Sequence, residues 1–302
     1  MNGILVIDKP AGPTSHDVVA RVRRALGTPR IGHTGTLDPL ATGVLPLVVG
    51  QATRLASMLS GADKSYVAAV RFGRATDTYD AAHLEGPPPA PPAGLEASAI
   101  EAALEGFRGT YSQMPPPFSA KKVGGVAAYK LARRNQPVEL RPVPVTVTRL
   151  ALVSYEEGLA MLEVTCGSGF YVRSLAHELG TRLGCGAYLE TLRRTCAGIF
   201  TEGDSVPLAT VEAEGRQAAA RLVPLERALP GLPRVVLNER GARRARHGNG
   251  LTVEDLDSLP ADLARAAGSG PGRWLLLDGA GALLGIAEPA SGGLLHPVIV
   301  LV

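Results

Sequence analysis

Asp38 is the lone carboxylate in a loop of glycine, threonine and proline, Gly32-His33-Thr34-Gly35-Thr36-Leu37-Asp38-Pro39-Leu40-Ala41-Thr42-Gly43. Its glycines permit close backbone approach and positive φ, and Pro39 pushes the residue before it toward extended backbone. The carboxylate is therefore aimed rather than free to swing, and it has no metal-ligating partners nearby. The same residues also suit a turn closed by Asx-type hydrogen bonds. A second dense segment is Gly167-Ser168-Gly169-Phe170-Tyr171-Val172-Arg173-Ser174. If that stretch is extended, Tyr171 and Arg173 project the same way, so a phenol and a guanidinium point together. Each also has an ordinary structural reading, as a core aromatic with a satisfied hydroxyl and as a surface ion pair.

Several familiar chemistries are absent from the sequence. No Gly-x-x-x-x-Gly-Lys-Ser/Thr phosphate cradle occurs, His177-Glu178 lacks the second histidine of a zinc protease helix, and there is no Gly-x-Ser-x-Gly elbow. Cys166, Cys185 and Cys196 are odd in number and lack Cys-x-x-Cys spacing, which argues against a disulfide framework and a zinc site. Each cysteine is expected to be a small buried residue.

The elements that must position Asp38 can be read from periodicity. Ile4 to Ile7 reads as a strand. Ser15 reads as the N-cap of a helix carrying Val18, Val19, Val22 and Leu26 on one face and ending at Gly27. Val44 to Val49 is a second apolar strand, Gln51 to Leu59 a short helix, and Tyr66, Ala68, Val70 and Phe72 alternate as in a half-buried strand. Residues 87 to 94 are proline-rich and read as an exposed spacer. Helical patterns at 98–105, 126–134 and 171–194 alternate with strand-like runs at 143–153 and 159–166, without regular βαβ repetition. The fold class is therefore α+β with a mixed, largely antiparallel sheet. After a second proline-rich passage near Leu229 to Pro233, short strands at Trp274 to Leu277, Leu283 to Ala287 and Val298 to Val302 predict a small β-rich C-terminal domain.

With 302 residues, 45% of them hydrophobic, the chain is long enough for a sizeable core and two domains. No run approaches the roughly 18 apolar residues of a membrane span, so a cytoplasmic protein is expected. The net charge of +3 is modest. The basic residues nevertheless cluster, at Arg21, Arg23, Arg24 and Arg30, at Lys121 and Lys122, at Arg133 and Arg134, at Arg193 and Arg194, and from Arg240 to Arg246. Such clusters can neutralise phosphates, or simply form solvated helix faces.

Six blocks of the chain together resemble the pseudouridine synthases, and within them the bacterial branch that acts on the T-loop of transfer RNA. They are Asp8-Lys9-Pro10 with Gly12 and Ser15; His33-Thr34-Gly35-Thr36-Leu37-Asp38-Pro39; Asp63-Lys64-Ser65-Tyr66; Thr76-Asp77-Thr78-Tyr79-Asp80; Gln113, Pro115 and Phe118-Ser119-Ala120-Lys121-Lys122; and Tyr171-Val172-Arg173 followed by Leu192-Arg193-Arg194. Phe170 and the run Asp80-Ala81-Ala82-His83 depart from the usual pattern.

The resemblance implies a pseudouridine synthase fold, with a central sheet flanked by helices in a catalytic domain at 1–232, a thumb insertion at about 107–141 that clamps RNA, and a PUA-like RNA-binding domain at 233–302. It implies that Asp38 lets the N-glycosidic bond of a flipped-out uridine break so that the uracil rejoins the sugar through C5. Tyr66, Tyr171 and Arg173 complete the implied catalytic set. His33 would fill the gap left by the flipped base, Tyr66 and Tyr171 would contact the uracil, Leu192 would close the pocket, and Lys9 and Lys122 would bind substrate. No metal or cofactor is implied, and the implied partner is the T-arm of tRNA, met by a monomer without a membrane or protein partner. Two other readings stay open: an RNA-binding or tRNA-folding protein on the same scaffold, and a synthase acting on another RNA.

Overall fold

The computed structural model describes residues 1–82, 84, 86–119, 121–123, 126–127, 140–258, 272–290 and 294–301. Strands β1 (Gly3–Lys9), β2 (Ile31–His33), β3 (Thr42–Val49), β4 (Lys64–Phe72), β5 (Gly109–Gln113), β8 (Val143–Glu156), β9 (Leu159–Cys166), β10 (Ala187–Ala197), β11 (Phe200–Thr201) and β12 (Val206–Pro207) form one sheet. Its order is β12-β1-β3-β10-β4-β9-β8-β5, with β2 on β3 and β11 on β10. Only β1–β12 and β3–β10 pair parallel, so the sheet is mixed and largely antiparallel, as the sequence predicts. The intervening β6 (Lys122–Val123) and β7 (Val126–Ala127) pair with each other.

Side chains alternate across a strand, and β1 and β3 bury both sets. Leu5, Ile7, Leu45, Leu47 and Val49 enter the main core, which α1 (Ser15–Leu26), α3 (Ala97–Leu104) and α4 (Val172–Arg182) also line. On the opposite face Ile4, Val6, Val44 and Val48 meet Leu275, Leu277, Leu283 and Ile286. Those residues belong to the second sheet, made of β13 (Arg234–Val236), β14 (Trp274–Leu277), β15 (Leu283–Pro289) and β16 (Leu295–Val300). Burial on both faces explains why these strands read as continuous apolar runs rather than alternating ones. The short helix α2 spans Ala56–Ser60, preceded by a 3₁₀ turn at Gly50–Leu55. Residues 87–94 adopt neither helix nor strand and are largely exposed, as expected.

Four local expectations need correction. Thr14, not Ser15, caps α1: its side chain accepts from the Asp17 amide, while Asp17 accepts from the Thr14 amide at 2.9 Å. The helical pattern at 171–194 is two elements, α4 and then β10. The chain turns at Gly184 and Gly186, both left-handed, and a Cβ at Gly180 would strike the Ala187 backbone. In the predicted helix at 126–134, residues 126–127 are strand, and the remainder lies outside the described residues. So does much of the predicted thumb: 120, 124–125 and 128–139. Of the cysteines only Cys166 is fully buried.

Candidate active site

The Asp38 loop joins β2 to β3 and is fastened from below. Ser15, freed from capping, turns its hydroxyl to Leu37, donating to the carbonyl at 3.1 Å and accepting from the amide at 2.8 Å. The Leu37 side chain is buried in the main core. On the other side of Asp38, the Gly12 amide donates to Pro39 O at 2.8 Å, and the Ala41 amide closes a turn onto Asp38 O at 3.1 Å. The carboxylate thus leaves a backbone pinned on both sides.

Lys9 completes this floor. Its ammonium donates to the carbonyls of Pro10 (2.9 Å), Pro39 (3.3 Å) and Ala41 (2.7 Å), and the residue is 0% exposed. The sequence placed Lys9 on the substrate. Its three N–H groups are instead engaged by two carbonyls of the Asp38 loop and by Pro10, so it supports the loop from below. Burial pulls its pKa down to about 8, against the opposing pull of Asp38.

Arg173 approaches Asp38 from α4. Its Nη2 donates to Asp38 Oδ1 at 3.1 Å, and its Nε lies 2.9 Å from Oδ2. The same guanidinium donates to Thr78 O at 3.1 Å and Phe118 O at 3.0 Å, and Nε lies 3.7 Å from Asp80 Oδ2. The Arg173 and Asp80 side chains are each 6% exposed, whereas that of Asp38 is 33% exposed. One buried cation therefore serves a buried carboxylate and a second that opens to solvent. Burial is the largest influence on Asp38 and pushes its pKa up. Arg173 opposes that shift and Asp80 adds to it.

Tyr171 and Arg173 do not share an extended segment, as the sequence suggested. Tyr171 is the extended N-cap of α4, and Arg173 already lies in the first turn. The Tyr171 backbone is clamped by Gln113, which is fully buried. Its amide nitrogen donates to Tyr171 O at 3.1 Å, and its amide oxygen accepts from Tyr171 N at 2.9 Å. Burial raises the Tyr171 pKa, while Ser119 and Arg173 pull it down. Tyr66, on β4, pairs across the sheet with Arg194 and packs at the edge of the main core on the side of Ala68 and Val70. Burial also raises its pKa, opposed by Arg194, and Asp38 is close enough to contribute.

The other expected residues are placed as follows. Leu192 is buried in the main core beside Ala68, with its carbonyl facing Thr42 Oγ1. His33 is half-buried at the end of β2, edge-on to His16 with ring centroids 5.3 Å apart. Its Nδ1 is buried with no partner among the described residues. Lys122 lies in β6, and its side chain is outside the described residues. Arg194, read with Arg193 as a candidate phosphate contact, turns inward and donates to Val44 O at 2.6 Å and Gly35 O at 3.2 Å. Asp80 and Gln113 belong to motif blocks but were assigned no role. Their signal was the crowding of short polar residues in Thr76-Asp77-Thr78-Tyr79-Asp80 and a lone amide before a proline.

Known proteins resemble this chain over most of its length. The model described as TruB family pseudouridylate synthase (N terminal domain) matches residues 23–172, and that described as tRNA pseudouridylate synthase B C-terminal domain matches residues 173–230. A tRNA pseudouridine synthase B from Solibacter usitatus is 44% identical, with 100% of both chains covered. One from Symbiobacterium thermophilum is 45% identical, with 82% of both covered. Among solved structures, a chain of a Cbf5-Nop10-Gar1 complex superposes with a TM-score of 0.70 at 26% identity, covering 95% of this chain and 78% of that one. With an opened carboxylate on a pinned loop and relatives matched from end to end, the chain belongs to the TruB family of pseudouridine synthases.

Proposed function

We propose that this chain isomerises uridine to pseudouridine in transfer RNA, at position 55 of the T-loop. The supporting observation is the Asp38–Arg173 contact, in which the carboxylate is held at its back by a buried guanidinium and left open in front, in a chain whose full-length relatives are named tRNA pseudouridine synthase B. The reaction breaks the C1′–N1 bond, turns the uracil, forms a C1′–C5 bond, and moves the C5 proton off as N1 gains one.

Asp38, ionised, stabilises or captures the fragment formed when the glycosidic bond opens. Arg173 keeps it charged and aimed, so that no reorganisation is needed at the moment of reaction. Uridine inside a folded loop must be flipped out to reach the carboxylate, and the Tyr66 ring provides a face for the extruded uracil. Tyr171 lies at the uracil edge and assists removal of the C5 proton. His33 stands at the loop rim, where it fills the space left in the RNA. The segment around 107–141 clamps the RNA, and the second sheet within 233–302, in the manner of a PUA domain, extends the contact along the T-arm.

The test is tritium release from tRNA labelled at uridine C5, with product mapping. Release confined to position 55, and lost when that uridine is replaced by cytidine, is expected. Release that survives the replacement would overturn the position, and no release from any tRNA would overturn the activity.

A further inference from the structure

A cavity of about 520 Å³ lies one helical turn beyond Arg173, lined chiefly by Tyr79, Phe107, Met114, His177, Glu178 and Arg182. Its size falls within the ordinary range for small-ligand sites. Its wall is tied to the helix that carries Arg173: Ser174 Oγ donates to Met114 O at 2.7 Å, Met114 N donates to Glu178 Oε1 at 3.4 Å, and Thr78, next to Tyr79 in the chain, accepts from Arg173 through its carbonyl. His177 follows Arg173 by four residues on α4, so the two side chains are neighbours on one face, with Cβ atoms about 6 Å apart.

The lining is unusual for a crevice that only packs. Tyr79 and His177 stack with centroids 3.7 Å apart and planes 10° from parallel. Tyr79 adopts φ 63, a left-handed conformation that a bulky residue rarely takes, so the backbone is strained where this ring is presented. Arg182 lies over the Phe107 ring at 4.2 Å. Glu178 is half-buried, which raises its pKa. Among the described residues it has no cation within ion-pair distance, and the Met114 amide makes only a long contact with it. A carboxylate in that state has spare lone pairs for N–H donors. Flat aromatic and guanidinium faces beside such a carboxylate match a planar ring carrying an amino group. Unpaired RNA bases are bound in this way, by stacking and by hydrogen bonds along the base edge.

We propose that this cavity is a subsite for a second unpaired base of the RNA substrate, one bearing an exocyclic amino group (guanine, adenine or cytosine), which stacks on the aromatic lining and donates to Glu178. Uracil has no amino group, so the subsite discriminates against the reacting base. The inference rests on the proposed RNA-modifying activity and adds a specificity element to it.

The experiment crosses RNA and protein changes. A T-arm stem-loop is made with each unpaired loop nucleotide in turn replaced by an abasic residue, apart from the reacting uridine, and kcat and KM are measured with wild-type protein, Glu178→Gln and Tyr79→Phe. One abasic position is expected to raise the wild-type KM about tenfold or more, as loss of a stacked base does. With Glu178→Gln that penalty should largely vanish, because the contact is already lost, whereas Tyr79→Phe, which keeps the ring, should retain it. Penalties that add independently at every position, or a Glu178→Gln defect confined to kcat, would overturn the subsite. A free nucleoside monophosphate that competes equally well with intact and abasic RNA would overturn the RNA as its source. No wild-type turnover on the intact stem-loop would instead sink the activity, and the subsite with it.

Discussion

Arg173 stands between Asp38 and Asp80, with Nε 2.9 Å from Asp38 Oδ2 and 3.7 Å from Asp80 Oδ2. Asp80 is itself held by Thr78 Oγ1 at 2.6 Å and by the Ala82 amide at 3.0 Å, so the guanidinium leans on a fixed anion. Removing one partner of a buried pair leaves an uncompensated charge, at a cost of about 3–5 kcal/mol. Arg173→Met is expected to lose stability on that scale and turnover by about 100-fold or more. Adding Asp80→Asn should restore most of the stability and none of the turnover. Thermal unfolding and single-turnover rates check this. Recovery of both together would mean that Arg173 acts only through the fold.

The pH–rate profile should carry an acid limb above the ordinary carboxylate value of about 4, because burial makes Asp38 hold its proton to higher pH. Asp80 pushes the same way, so Asp80→Asn moves the limb down. Arg173 opposes the shift, so Arg173→Met moves the limb up in whatever activity remains. Measuring kcat/KM against pH for the three proteins tests the two opposite signs.

Lys9 predicts a basic limb. With its pKa near 8, raising the pH removes both the charge facing Asp38 and one of the N–H groups holding the loop, so turnover should fall. Stability should not fall with it. The unfolded lysine keeps its proton up to about 10.4, so between these values the unfolded chain binds more protons and this group makes stability rise with pH. A basic limb accompanied by falling stability would count against Lys9 as its source, as would persistence of the limb in Lys9→Met.

Ser15→Ala should remove both hydrogen bonds to Leu37. The buried Leu37 amide and carbonyl then go unmatched, costing about 1–3 kcal/mol. Because Leu37 precedes Asp38, kcat should fall more than RNA affinity. Equal affinity and equal kcat would show that the loop is held well enough without this residue.

Gln113→Leu should free the Tyr171 backbone from its only clamp among the described residues to β5. A drop in kcat of about tenfold or more is expected, since small misplacements near reacting atoms are costly. Gln113→Glu keeps the acceptor but loses the donor, and should fall between wild type and Gln113→Leu. Unchanged kcat in both variants would contradict the positioning role.

The readable parts of this chain were those with local causes. The apolar runs of β1 and β3, the spacing in α1 and the alternation in β4 each followed from short-range periodicity, whereas the hold on the Asp38 loop comes from Ser15, Gly12 and Lys9. The Arg173–Asp38 pair was legible only by joining two motifs 135 residues apart. What escaped depended on partners that no window contains. Lys9, expected on the substrate, is claimed by the carbonyls of Pro10, Pro39 and Ala41, and Gln113 gave no sign that it would pair with Tyr171. Residues 187–194, expected as the end of a helix, are strand because Gly184 and Gly186 turn the chain back onto β4. Thr14 displaced Ser15 as the cap because Asp17 completes a box with Thr14, leaving Ser15 for Leu37.

The most direct test of the account is Asp38→Asn, assayed for tritium release from C5-labelled tRNA and, on the same preparation, for RNA binding. The side chain keeps its size and one acceptor oxygen but loses the charge that Arg173 maintains. The account predicts binding close to that of wild type with no detectable release. Release at a rate comparable to wild type would contradict it.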